Sequence, residues 1–183
     1  MPRVFEQARL GMELGEILRL KPGLEKTRRR EAGTILLTGS PADRHLKRVE
    51  HRFFSARLYE IRISYRIDRL PQGAVGLLAQ LKDAYGPPRL DREEDFDREH
   101  GDLSRWGTVW EDAQTRLVLL ERHYVHDAHV LIALTLTMTD QELARRYDAA
   151  QEEQARRKWC KVPIPTPERR PVAKTEAPSD ASR

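Results

Sequence analysis

The chain has 183 residues, 39% hydrophobic and 34% charged, which suffices for one globular domain or two small ones. Its longest unbroken apolar run, Val130–Leu134, falls far short of the roughly 18–20 residues of a bilayer-spanning helix, and one cysteine, Cys160, excludes an internal disulfide or a four-cysteine zinc module. The net charge of +4 is unevenly spread: Arg156–Arg183 carries eight basic residues against three acidic ones, net +5, leaving residues 1–155 at −1, which is not the footprint of a folded nucleic-acid-binding domain.

In chain order, Leu10, Leu14, Ile17 and Leu18 predict a helix over Phe5–Leu20, weakened by Gly11 and Gly15 and stopped at Pro22-Gly23. Thr34–Thr38 reads as a short strand. Val49, His51 and Phe53 then alternate with Arg48, Glu50 and Arg52. Ser55-Ala56-Arg57 turns the chain into Leu58–Arg66, where Tyr59, Ile61, Ile63 and Tyr65 alternate with Glu60, Arg62, Ser64 and Arg66, the period of a half-buried antiparallel strand.

The clearest helix is Pro71–Tyr85, with Leu77, Leu78, Leu81 and Tyr85 on one face, Pro71 in its first turn and Gly86-Pro87-Pro88 as its stop. Trp106–Trp110 and Thr115–Tyr124 read as strands joined at Glu111–Gln114. After a reversal at His126–Ala128, Val130, Ile132, Leu134, Leu136 and Met138 give the next strand one wholly apolar face. Thr139-Asp140-Gln141-Glu142 fits a capping box for a third helix reaching about Lys158, docked by its first half. The rest, with Pro163, Pro165, Pro167, Pro171 and Pro178, has almost nothing to bury and reads as a disordered basic tail.

Laid together, the halves repeat the order helix, Gly/Pro stop, polar connection, three strands. Leu18–Gly23 matches Leu81–Pro87 as a helix ending, and Phe53–Ile61 matches Val109–Leu117 as one strand turning into the next. The expected fold is α+β, a two-layer sandwich from two α-βββ pseudo-repeats that form an antiparallel sheet, plus a C-terminal helix. Residues 1–68 are the first unit, 69–139 the second, 140–160 the helix and 161–183 the tail.

On Leu10–Ile17, Phe54–Ile61 and Leu78–Pro88, the chain resembles tandem-repeat bacterial small domains. Its units are similar to SmpA/OmlA (BamE-like) lipoproteins and to β-lactamase inhibitor proteins. The resemblance covers about residues 8–140 and rests on structural punctuation, so it implies a non-catalytic binding or assembly module and assigns no functional residue. The chain departs from that pattern in lacking a signal peptide and a lipobox cysteine. The expected location is therefore cytoplasmic, or the envelope if an upstream signal precedes these residues.

Candidate chemistry is sparse. His123, His126 and His129 flank a tight turn with Asp127, and imidazole suits zinc, copper or nickel; a polar hairpin explains the same residues. Asp91–Asp102 carries seven carboxylates without the ligand spacing of an EF-hand loop, and Lys26–Arg30 is its basic counterpart in the first half; both read as solvated connections. No Gly-x-Ser-x-Gly, phosphate loop or His-Glu-x-x-His occurs. A sheet covered by helices on one face exposes the other, where Trp106, Trp110, Tyr59, Arg62 and Arg66 would form a binding surface and Ser64, Thr135 and Thr137 extend its polar part. The expected function is a non-enzymatic protein- or peptide-binding module that needs no cofactor. The alternatives are a small metal-dependent enzyme built on the histidine hairpin and a nucleic-acid accessory protein acting through the basic tail.

Overall fold

The computed structural model describes residues 1–27, 34–39, 41, 43–94, 102–126 and 129–159. The chain opens with a small hairpin, β1 (Val4–Phe5) and β2 (Ala8–Arg9), followed by α1 (Leu14–Leu20), β3 (Glu25–Thr27), β4 (Thr34–Gly39), β5 (Leu46–Phe54) and β6 (Arg57–Tyr65). A single 3₁₀ turn at Ile67–Arg69 leads to α2 (Gly73–Tyr85), β7 (Leu90–Glu94), β8 (Asp102–Glu111), β9 (Thr115–His126), β10 (His129–Asp140) and α3 (Gln141–Trp159).

Among the described residues one antiparallel sheet has eight strands, in the order β3-β4-β5-β6-β10-β9-β8-β7. Each half is a helix followed by a four-strand meander. The halves meet at β6 and β10, whose five pairs run from Glu60↔Thr139 to Ser64↔Thr135 around Arg62↔Thr137. The fold is α+β, as the alternating patterns predict.

The sheet alternation puts the apolar rows on one face. Val49, Phe53, Ile61, Ile63, Leu117, Leu119, Leu134, Leu136 and Met138 bury there against Ile17 of α1 and Leu81 of α2, and one cluster runs through both halves. The opposite face carries Arg52, Glu60, Arg62, Thr137 and Arg116. α3 lies on it, with Leu143 buried and Tyr147 in ring contact with Phe54 and Tyr59. Partial burial recurs at Tyr147, Ala150, Gln151 and Gln154, so this helix is docked along more than its first half.

Three local expectations change. The first helix covers Leu14–Leu20 alone, because Glu6 and Gly11 take positive φ of 52° and 87° and the preceding residues form the β1/β2 hairpin. The cap of α3 is Asp140 rather than Thr139: its Oδ1 accepts from the amides of Glu142 (3.1 Å) and Leu143 (3.0 Å). Each half has a fourth strand, β3 and β7, at the ends of the segments read as solvated connections. Short charged strands at the two outer edges discourage pairing with other sheets, which is why a period-2 apolar signal is missing there.

Candidate functional site

The residues singled out from sequence do not form one surface. Trp110 is 1% exposed, and its indole N–H donates to the Gly86 carbonyl at 2.9 Å, so it belongs to the core and offers nothing to a partner. Tyr59 is 5% exposed and stacks under Tyr147. Trp106 is 39% exposed on the helix-covered face, beside Ala74, Val75 and Leu78 of α2. Arg62 lies on the opposite face, opposite Thr137, with its guanidinium 3.2 Å from Glu60. Arg66, past the end of β6, donates from Nε to the Leu46 carbonyl at 3.3 Å. Ser64, Thr135 and Thr137 share Arg62's face, as the alternation predicts.

The histidines separate likewise. His123 pairs in register with Ile132, and its Nε2 is 2.7 Å from a Glu121 carboxylate oxygen. His126 and His129 pair with each other across the hairpin through the backbone, and their side chains lie outside the described residues. Among the described residues no three His, Cys, Asp or Glu side chains come together as a metal site. Residues 28–30, 95–101 and 160–183 lie outside the described residues, and with them most of the basic and acidic connections, Cys160 and the tail.

What the topology does create is a notch at the β6/β10 seam. Their last pair at that end is Ser64↔Thr135; β6 then leaves the sheet into the 3₁₀ turn, while β10 continues back to His129, paired only with β9. Among the described residues, no strand pairs with His129–Leu134 on the side that β6 vacates. A cavity of about 600 Å³ opens there, bounded by Lys47, Arg48, Ser64, Tyr65, Tyr124 and Ile132–Thr135. Leu131 and Ile132, 38% and 44% exposed, fall on opposite faces of the overhang. Around this end of the sheet stand Arg44, Lys47, Arg48, Arg66 and Arg69 against Asp43, Asp68 and Glu25, the last of which also lines the cavity, and Arg48 pairs with Glu50 at 3.0 Å.

The other end of the same seam is filled. Beyond Asp140 the lane beside β6 is taken by the segment preceding α1. There the Gly11 amide donates to the Leu58 carbonyl (2.7 Å), the Leu58 amide to the Met12 carbonyl (2.9 Å), and Glu13 bridges to Arg57. The fold thus closes one overhang with its own backbone, whereas among the described residues its counterpart has no paired strand. Sequence reading missed this site. Its one visible signal is an apolar run, Val130–Leu134, within a strand otherwise alternating with polar residues.

Compared with known proteins, residues 3–150 match a family model, the TP0088 domain, which spans both halves of the sheet and the first half of α3. No curated protein and no solved structure matches the chain. Among the described residues, no helix is long and apolar enough to cross a membrane.

Proposed function

The chain belongs to the TP0088 domain family, and on the geometry of its sheet we propose that it is a non-catalytic binding module taking an extended, acidic segment of a partner protein as an added strand beside β10. One observation carries this reading: β10 overhangs β6, and among the described residues no strand pairs with its hydrogen-bonding edge over His129–Leu134. An added strand gains affinity from main-chain hydrogen bonds and specificity from alternate side chains. Leu131 and Ile132 supply apolar contact on the two sides of such a strand, and the surrounding Arg44, Lys47, Arg48, Arg66 and Arg69 favour an acidic sequence.

The contrast with the outer edges supports the same reading. β3 and β7 are short and charged, whereas the overhang reads His-Val-Leu-Ile-Ala-Leu, a sequence that pairs readily. The helix-end and strand motifs that resemble those of BamE-like lipoproteins and β-lactamase inhibitor proteins would fit a binding role without assigning a partner.

Selection of displayed random peptides on the full chain, followed by hydrogen exchange of the winners' complexes, tests the proposal. Expected are acidic peptides that slow exchange in residues 129–134 and lose at least tenfold in affinity for the Leu131→Lys/Ile132→Lys variant. Both positions are exposed, so the variant keeps its fold. Failure to enrich any peptide, or protection confined to another surface, overturns it.

A further inference from the structure

A second cavity, of about 500 Å³, lies on the helix-covered face and shares only Gly23 and Gly39 with the notch. It is lined by Glu6 and Gln7 of the turn between β1 and β2, Lys21, Leu24, Pro41, Val49 and His51. His51 lies mid-strand in β5, between Leu37 of β4 and Ile61 of β6. Its residue is 0% exposed, and neither ring nitrogen has a hydrogen-bond partner among the described residues.

Such a group is costly to keep. A neutral imidazole carries one N–H donor and one bare acceptor, and each buried polar group left unsatisfied forfeits its hydration without return. Burial, followed by the nearby Lys21 ammonium, holds His51 down to about 4 from its usual 6.5, so at neutral pH it is uncharged and offers both functions at once. A leucine of similar volume would fill the same apolar row beside Val49 and Phe53 without that penalty. The remaining polar groups sit at the rim, where Lys21 pairs with Glu6. Leu24, Val49 and Pro41 supply apolar wall.

We infer that this cavity binds a small zwitterionic metabolite of the amino-acid type, its carboxylate on Lys21, its ammonium on Glu6 and a polar side-chain group hydrogen-bonded to His51. The rim decides the charge class. A simple anion or cation entering there would take one partner of the Glu6–Lys21 pair and strand the other, whereas a zwitterion replaces the pair charge for charge. The volume falls within the roughly 300–1,000 Å³ of small-molecule sites, and an apolar wall with a few convergent polar groups is their usual make-up. This inference does not depend on the peptide notch.

The test is thermal denaturation of the full chain with a panel of L-amino acids at millimolar concentration, against alkylamines and alkyl carboxylates of matched length. Expected is a rise in melting temperature with one or more polar amino acids, absent with the single-charge controls. Lys21→Gln abolishes the rise while leaving the ligand-free midpoint nearly unchanged. His51→Leu also abolishes it, and melts above wild type without ligand. The site is overturned if no zwitterion shifts wild type, if the single-charge compounds act equally well, or if the rise survives in both variants. Nitrogen-15 spectra of the labelled histidines add an independent reading, because only a ligand at His51 shifts that ring's nitrogen signals.

Discussion

The indole N–H of Trp110, near the end of β8, donates to the carbonyl of Gly86 just past the end of α2, at 2.9 Å. This bond fastens the helix end, where Gly86 adopts φ of 78°, to a strand residue that belongs to the apolar cluster. Trp110→Ala removes the largest fully buried side chain among the described residues and takes away the indole donor to that carbonyl, so a loss of about 3–5 kcal/mol is expected in chemical denaturation. Trp106→Ala, at a site 39% exposed, is expected to cost far less.

Docking of α3 is measurable through Tyr147. Its ring stacks on Tyr59 at 5.2 Å between centroids and meets Phe54 edge-on at 5.7 Å. A double-mutant cycle on Tyr59→Ala and Tyr147→Ala is expected to give a coupling of about 0.5–1.5 kcal/mol. A coupling near zero would mean that the helix does not rest on this face in solution.

The hairpin joining β5 and β6 turns at Ser55 and Ala56, whose φ of 49° and 61° are both left-handed. Two such residues in a two-residue loop match the turn in which Asn-Gly is preferred. Neither serine nor alanine adopts that conformation cheaply. Ser55→Asn/Ala56→Gly is therefore expected to raise stability by about 1 kcal/mol, read from the denaturant midpoint at unchanged slope.

His51 gives stability a pH dependence of defined sign. Between its folded value of about 4 and its unfolded value of 6.5, the unfolded chain binds a proton that the folded chain excludes. Stability from this group is thus complete above pH 6.5, falls as the pH drops through the window and changes no further below about 4, a total of about 3 kcal/mol. Denaturation curves from pH 7 to 4 should show that loss in wild type, and in His51→Leu a loss smaller by that amount. Equal pH profiles for the two proteins would mean that the ring is solvated.

Much of the architecture was legible because alternation survives in the sequence. Ile61 and Ile63, with Val130 through Met138, announced two strands with apolar faces, and Leu77, Leu78 and Leu81 announced α2; Tyr59, which the same alternation puts beside Ile61, instead stacks on Tyr147 of α3 on the opposite face, because the β5/β6 register shifts between Arg52 and Phe53. The same rows held His51 in plain view between Val49 and Phe53, a polar residue in an apolar series whose burial only the structure reveals. The first helix was overextended because Leu10 continues its periodicity. The positive φ at Glu6 and Gly11, of which the sequence hinted only at the glycine, ends the match there.

What the sequence determined by itself was the longer elements and the apolar rows that most of them bury, since both depend on periodicities of two to four residues; β1, β2, β3 and β7 are too short or too charged to show a period. What only the tertiary structure decided was how strands distant in the chain align. The pairing of β6 with β10 joins Ser64 to Thr135 and stops there, and from that one register follow the overhang, the notch and the contrast with the lane that Gly11–Glu13 fills. Register is set by burial and twist across the whole sheet, so neither edge pattern nor local propensity could place it. The burial of Trp110 has the same origin. An aromatic residue on a strand packs or presents itself according to which helix crosses it, and in this fold α2 and Gly86 made it core.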